Sequence, residues 1–127
     1  MKILFATGGT AGHINPALAV ASYIREQHPD AEILFIGTAD HMEARLVPNA
    51  GFDFKTIDIS GFRRSFSPSA MAHNVKTVIR LLKSSAASKK IINDFQPDVC
   101  VGFGGYVSGP VLENAVKMGI PSCIHEQ

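Results

Sequence analysis

The feature that most constrains the fold is a unit that occurs twice: an apolar run, two adjacent glycines, and then a helical pattern. The first copy comprises Lys2–Thr7, Gly8-Gly9 and a helix that we expect to begin at Asn15-Pro16, because Asn is a good N-cap and Pro suits the first helical turn. The second copy begins with Asp98–Phe103 and Gly104-Gly105. Short apolar runs that end in glycine are typical of buried strands, so each copy predicts a strand, a glycine turn and a helix.

The rest of the chain continues this alternation. Further strands are predicted at 32–37, 52–59 and 122–125, and further helices at 41–47, 68–94 and 109–118. The alternation predicts an α/β fold, a Rossmann-like parallel sheet with helices on both faces and right-handed crossovers. Segment 52–59 alternates apolar and polar residues, which indicates a strand near a sheet edge. In the strand order 3-2-1-4-5, both glycine turns lie at neighbouring strand ends and flank one crevice.

Composition and charge restrict the classes of function. The 127 residues are 46% hydrophobic and 18% charged, which fits one globular domain, and the net charge of +1 gives no reason to expect nucleic acid. Residues 61–93 contain seven Lys or Arg and no acid, which suits an anionic partner. Cys100 and Cys123 lie in apolar runs without metal-ligand spacing, so we expect reduced core thiols of a cytosolic protein. No metal or cofactor is predicted, and no apolar run is long enough to span a bilayer.

The two glycine turns predict an anion-binding site, although such glycines can also serve only to make tight turns. Glycine permits positive φ and the close approach of a ligand, and each turn leads into a helix N-terminus with free N–H groups. Two such termini at one crevice suit a diphosphate. A dinucleotide site is not indicated, because Gly8–His13 does not fit G-x-G-x-x-G and the second strand ends at Gly37-Thr38 without an acidic residue. Neither turn continues as the Gly-Lys-Ser/Thr of a Walker A loop.

Four segments carry a resemblance to a known family: GGTAGHINPALAVA, GTADHMEARLVP, FGGYVSGP and IPSCIHEQ. In this order and spacing they resemble the bacterial undecaprenyldiphospho-muramoylpentapeptide β-N-acetylglucosaminyltransferases, which convert lipid I into lipid II and have the GT-B fold. The resemblance covers all 127 residues, and Ala11 stands where many relatives have a third glycine. It implies that residues 1–127 are a single N-terminal, acceptor-side domain, and that the C-terminal donor-binding domain is absent from this chain.

The resemblance also implies an activity and a set of site residues. It implies an inverting, UDP-GlcNAc-dependent hexosyltransferase of peptidoglycan synthesis, peripheral on the cytoplasmic face of the plasma membrane, with this piece inactive alone. The donor is expected near Thr10, Ala11 and Gly12. The residues expected to bind the acceptor's diphosphate or sugar are Gly9, Gly12, Gly104, Gly105, Tyr106 and Ser108, and Ser108 is alternatively an N-cap.

Two residues are candidates for the base that deprotonates the acceptor's 4-hydroxyl. His13 lies where the first turn meets its helix, and a histidine that titrates near neutrality suits this role; alternatively it caps the helix or contacts phosphate. Glu126 is the rival base, or else a positioning hydrogen-bond acceptor. Three further histidines, His28, His41 and His73, are expected at the surface without chemistry.

The basic segment predicts contact with an anionic membrane, because the acceptor's polyprenyl tail stays in the bilayer. The residues predicted to contact the membrane surface are Arg63, Arg64, Lys76, Arg80 and Lys83. Its apolar stripe, which includes Val75, Val78 and Leu82, is expected to be mostly core, and a solvated helix face is the alternative for the basic residues.

Two other functions stay open at this point. The chain could be a non-catalytic subunit that anchors acceptor or membrane while a second polypeptide supplies the donor site. A nucleotide-cofactor module would instead bind NAD or FAD tightly on its own.

Overall fold

The computed structural model describes residues 1–59 and 68–125, in which strands and helices alternate. The elements are β1 (Lys2–Ala6), α1 (Ala11–Gln27), β2 (Glu32–Gly37), α2 (Glu43–Asn49), β3 (Asp53–Thr56), α3 (Pro68–Phe95), β4 (Val99–Gly102), α4 (Ser108–Lys117) and β5 (Ser122–Ile124). The predicted alternation is confirmed, and most predicted boundaries agree to within a few residues.

The strands form one parallel sheet in the order β3-β2-β1-β4-β5. This is the predicted order, and β3 lies at the predicted edge. The last residue of β1, Ala6, is paired with the last residue of β4, Gly102. Both glycine turns therefore leave the sheet side by side, at the carboxyl ends of the two central strands that precede them.

Helices cover both faces of the sheet, as predicted. On one face, Phe5 of β1 stacks on Phe35 and Phe103, with ring centroids 4.9 and 5.8 Å from its own, and α1 and α2 pack over this layer. On the other face, Leu4 and Ala6 pack against α3 and α4. Successive residues of β1 thus serve two separate cores, which explains why its sequence is a continuous apolar run.

The first helix begins at Ala11, four residues before the predicted start at Asn15. The cause is burial: Ile14 is fully buried, and only a helix that includes it places it on the same face as Ala17 and Ala21. Thr10 is the N-cap residue, and its carbonyl accepts the amides of residues 13 and 14. Pro16 is accommodated inside the helix, where it removes one backbone hydrogen bond near the N-terminus.

The N-terminal half of α3 differs from the prediction. Val75, Val78 and Leu82 were expected in the core, yet they are 61%, 45% and 67% exposed, and Ile79 is also exposed. The stripe is therefore a surface feature over its described residues. Met71 belongs to the same predicted stripe, and its side chain lies outside the described part of the chain. Within residues 1–59 and 68–125, no helix combines the length and apolar character needed to cross a membrane.

The C-terminal half of α3 holds the helix on the domain. Its fully buried positions include Ser88 and Ile92, and Asn114 of α4 donates from Nδ2 to the Ser85 carbonyl and the Ser88 hydroxyl, both at 2.7 Å. Buried polar groups that are paired in this way fix the register between two helices. Contact with α4 therefore combines apolar packing around Ile92 with a polar network, which an apolar-stripe argument could not locate.

The two cysteines differ in environment. Cys100 on β4 is buried in the core, and burial raises the pKa of its thiol to about 11. Cys123 on β5 is exposed, so the expectation of two core thiols is wrong for Cys123, because β5 is an edge strand. Both thiols are free.

Candidate functional site

A cavity of about 470 Å³ opens where the glycine turns leave the sheet. It is lined by the turn after β1, the segment after β2, the turn after β4 and one residue after β3. The lining residues are Gly8, Gly9, Thr10, His13, Thr38, His41, Glu43, Ile59, Gly105, Tyr106 and Val107. The prediction that both glycine turns flank one crevice is therefore confirmed, and the crevice lies at the carboxyl ends of the strands, where α/β sheets bind ligands.

The two glycine turns are in direct contact, and glycine is required where they meet. Gly104 and Gly105 have φ of +94° and +82°, a region that side chains disfavour. A Cβ on Gly104 would lie 2.6 Å from Cδ2 of His13, and a Cβ on Gly105 would lie 2.6 Å from the carbonyl oxygen of Gly8. Gly105 of the second turn therefore packs against the first turn, and Gly104 packs against the His13 ring that follows it.

His13 is held by the first turn. Its Nδ1 lies 3.1 Å from the Gly8 carbonyl oxygen and 3.4 Å from the hydroxyl of Thr10. Because a carbonyl can only accept, Nδ1 carries the proton in this contact, and in the neutral ring Nε2 then keeps its lone pair. The ring packs against Gly104 at the cavity wall. The geometry thus leaves one ring nitrogen able to accept a proton.

Glu43, the first residue of α2, lies under the first turn and is fully buried. Its Oε2 accepts the Gly9 amide at 3.1 Å, and its Oε1 accepts the Thr38 amide at 3.0 Å and the Thr38 hydroxyl at 2.8 Å. A Cβ on Gly8 or Gly37 would lie 2.4 Å from the Glu43 side chain. Three hydrogen-bond donors thus offset the cost of removing the carboxylate from water, and the absence of a Cβ at Gly8 and Gly37 makes room for it.

A hydrogen-bonded chain extends from Glu43 to the cavity. Because the Thr38 hydroxyl donates to Glu43, it accepts from Nδ1 of His41, 2.8 Å away. That nitrogen also lies 3.1 Å from Oδ1 of Asp40. The pKa of Asp40 is lowered, chiefly by a hydrogen bond from its own backbone amide and further by His41. His41, expected at the surface without chemistry, is exposed but is also a cavity residue.

Ser108 and Tyr106 of the second turn have different environments. Ser108 is the first residue of α4 rather than its N-cap, which is Val107. Its buried hydroxyl lies 3.1 Å from the Gly104 amide, 2.9 Å from the Gly104 carbonyl and 3.1 Å from the Ala6 carbonyl, so it ties the turn to β1. Tyr106 lines the cavity and is 68% exposed, which leaves its side chain accessible to a ligand.

The remaining predicted residues are partly outside the described structure. Thr10, the N-cap residue of α1, lines the cavity, whereas Ala11 and Gly12 in the first turn of α1 are not among its lining residues. The amide of Gly9 donates to Glu43. Glu126, Arg63 and Arg64 lie outside the described residues, as does the side chain of Arg80. Lys76 and Lys83 are exposed on α3 and do not line the cavity. In the described part of the chain, no group of three potential ligands could hold a metal ion.

Thr38, His41 and Glu43 are the polar cavity residues that sequence reasoning missed. Glu43 is a charged residue in the short helical segment that follows Gly37-Thr38, and nothing in the pattern distinguishes it from a solvated helix residue. The available signal was indirect: two strand ends carry glycine, at Gly8 and Gly37, and both glycines face this side chain.

Comparison with known proteins places the chain in a family context. Residues 3–127 match the family model described as the glycosyltransferase family 28 N-terminal domain. The chain is 50% identical over 127 residues to the UDP-N-acetylglucosamine–N-acetylmuramyl-(pentapeptide) pyrophosphoryl-undecaprenol N-acetylglucosamine transferase of Clostridioides difficile, covering 100% of this chain and 30% of the relative. It is 49% identical to the enzyme of the same name from Lactococcus lactis, covering 99% of this chain and 34% of the relative. The chain thus spans about a third of the length of the curated relatives it matches.

Solved structures of glycosyltransferases share the fold of this chain. The crystal structure of Acinetobacter baumannii MurG superposes with a TM-score of 0.78 at 30% identity, covering 98% of this chain and 34% of that one. The calicheamicin glycosyltransferase CalG4, at 20% identity and a TM-score of 0.67, shares the fold over 97% of this chain and 31% of its own. The fold is that of the N-terminal part of a GT-B glycosyltransferase, as predicted.

The contact between the turns can be tested by two matched glycine substitutions. Gly105→Ala places a methyl against the Gly8 carbonyl at positive φ, so we expect it to lower the free energy of unfolding by about 1–3 kcal/mol. Gly109→Ala is the control, because nothing lies within 4 Å of its Cβ position, and in a helix alanine is favoured by up to about 1 kcal/mol. Urea unfolding of both variants measures the difference; equal stability would contradict the contact.

Proposed function

The chain belongs to glycosyltransferase family 28, as an N-terminal domain, and from this membership we propose that it is the acceptor-side domain of an inverting N-acetylglucosaminyltransferase. The proposed donor is UDP-GlcNAc and the proposed acceptor is lipid I, undecaprenyl-diphospho-MurNAc-pentapeptide. The product is lipid II, a precursor of peptidoglycan. The names of the Clostridioides difficile and Lactococcus lactis enzymes, about 50% identical to the chain, state this substrate pair.

The observation that carries the proposal is the meeting of two glycine turns and two helix N-termini at one cavity. Helices α1 and α4 begin at Ala11 and Ser108, directly after turns that contact each other. Backbone amides and the positive ends of two helix dipoles favour an anion there. In the proposal, the acceptor's diphosphate lies across the turns, near Gly12, Gly104 and Gly105, and Tyr106 contacts the sugar or phosphate.

His13 is the proposed general base. The 4-hydroxyl of the acceptor's MurNAc attacks the anomeric carbon of GlcNAc, and its proton passes to Nε2 of His13. The bond between that carbon and the phosphate oxygen breaks, UDP leaves with the electron pair, and the configuration inverts. Nε2 suits this step because Nδ1 is occupied by the Gly8 carbonyl. Glu126 stays the rival base, since its placement lies outside the described residues.

Donor binding is proposed to be shared. Thr10, Ala11 and Gly12 border the donor from this domain, and a second, C-terminal domain supplies most of the UDP-GlcNAc site. The chain's coverage of about a third of each relative supports this division.

We also propose that the N-terminal half of α3 rests on an anionic membrane surface, on the cytoplasmic side where the nucleotide sugar is found. Val75, Ile79 and Leu82 are exposed apolar side chains, and Lys76 and Lys83 are exposed beside them. An exposed apolar stripe with flanking lysines is the composition of a peripheral membrane contact. The acceptor's polyprenyl tail, which stays in the bilayer, gives that contact a role; Arg63, Arg64 and Arg80 are proposed to extend it.

The role of His13 is tested by His13→Ala in the full-length protein, with UDP-GlcNAc and a soluble lipid I analogue as substrates. Loss of a general base is expected to reduce kcat about 100-fold or more. His28→Ala, on the exposed C-cap of α1, is the matched control and is expected to behave as wild type. A loss below about tenfold for His13→Ala would reduce it to a positioning role. Transfer that needs an added second polypeptide would favour the two-subunit alternative.

The membrane contact is tested by Val75→Asp in liposome flotation. Placing a carboxylate in the stripe is expected to reduce binding to anionic vesicles at least about tenfold, because it removes apolar burial and adds repulsion. Val116→Asp on α4 is the matched control, since the two valines are 61% and 66% exposed. Equal loss in both variants, or equal binding of the wild type to neutral and anionic vesicles, would contradict the proposal.

A further inference from the structure

The peptide group between Gly8 and Gly9 is bonded at both of its polar ends. Its N–H, on Gly9, donates to Oε2 of Glu43 at 3.1 Å, and its carbonyl, on Gly8, accepts from Nδ1 of His13 at 3.1 Å. The bond is trans, as are all others described, so the N–H and the C=O point in opposite directions. One rigid plane therefore connects a buried carboxylate on one side to the imidazole on the other.

We propose that Glu43 is a positioning residue that orients the imidazole of His13 through the Gly8–Gly9 peptide group. The inference rests on the proposed function, in which His13 is the base, and it goes further by naming the group that sets the ring's proton and direction. Glu43 itself touches no reacting atom. Its effect passes through the peptide plane, which cannot rotate while Oε2 holds the Gly9 amide.

The position of Glu43 is fixed independently of His13. The side chain is fully buried, and Oε1 is held by both the amide and the hydroxyl of Thr38. Gly8 and Gly37 provide the space that the side chain occupies, since a Cβ on either would lie 2.4 Å from it. A carboxylate anchored by two donors at one oxygen presents the other oxygen to Gly9 in one place.

The chain of contacts also selects one tautomer of His13. A carboxylate that accepts from the peptide N–H polarises the group and makes its carbonyl a stronger acceptor. The Gly8 oxygen then favours the proton on Nδ1, which leaves the lone pair on Nε2. Because the Cδ2 and Nε2 side of the ring packs against Gly104 in the second turn, the ring direction is fixed from both turns.

The kinetic test uses Glu43→Gln in the full-length protein. The amide keeps the shape but offers one acceptor oxygen, so its NH2 group must face either Gly9 or Thr38. We expect kcat to fall about ten- to a hundredfold while the acceptor KM changes less than about threefold. Glu113→Gln, in an exposed ion pair with Lys117 on α4, is the matched control and is expected to leave kcat within about twofold of wild type.

A double-mutant cycle separates positioning from a merely structural role. If Glu43 acts through His13, then adding Glu43→Gln to His13→Ala costs less than about threefold in kcat, because the group it orients is already gone. Equal losses in both backgrounds, or an effect confined to the acceptor KM, would overturn the inference.

Two further measurements keep the inference testable if Glu43→Gln does not fold or if the wild type does not transfer GlcNAc. Thr38→Val removes one anchor of Glu43 and is expected to lower kcat in the same direction, with Thr38→Ser restoring it. Nitrogen NMR of histidine-labelled full-length protein reads the tautomer of His13 directly, without activity. We expect the Nδ1–H form in the wild type and a shift toward the Nε2–H form in Thr38→Val or Glu43→Gln. An unchanged tautomer would overturn the inference, whereas absent transfer with the expected shift would count only against the proposed function.

Discussion

A carboxylate removed from water must be surrounded by donors, and in this domain that requirement organises the ligand end of the sheet. Glu43 accepts hydrogen bonds from the amide of Gly9, after β1, and from the amide and hydroxyl of Thr38, after β2. The turns after β1 and β2 are thereby joined through one side chain. Replacing the carboxylate with a group that cannot accept three bonds would leave buried donors unpaired, so the geometry of the first turn depends on it.

The second glycine turn follows β4, which pairs with β1 on the side opposite β2, and it lines the same cavity as the first turn. Pairing of Ala6 with Gly102 sets both turns at one level, and the Ser108 hydroxyl bonds across to the Ala6 carbonyl. Gly105 then approaches the Gly8 carbonyl as closely as only a glycine can. Sheet order, a buried serine and two glycines at positive φ therefore bring two helix N-termini to one cavity, which is the basis of the proposed diphosphate site.

The fold was predictable because its signals are local and repeated. Apolar runs closed by glycine located β1 and β4, and the alternation with helices predicted the parallel sheet. The strand order was taken from the doubly wound fold and did not follow from the alternation. The start of α1 was not predictable from Asn15-Pro16, because burial of Ile14 outweighed a favourable N-cap. The apolar stripe around Val75 was wrongly assigned to the core, because an apolar helical pattern does not show whether the rest of the domain covers it. Glu43 was missed because its burial depends on how the turns after β1 and β2 come together. The glycines that accommodate it, Gly8 and Gly37, were visible in the sequence, but glycine at a strand end is also explained by a tight turn.

The central claim is that the two glycine turns hold one diphosphate between the starts of α1 and α4. The most direct test is a crystal structure of the full-length protein with a lipid I analogue that keeps the diphosphate and carries a short prenyl chain. We predict phosphate oxygens about 2.7–3.2 Å from backbone amides of both turns, with the MurNAc 4-hydroxyl directed to Nε2 of His13. A diphosphate bound away from the turns, or held by one of them alone, would contradict it.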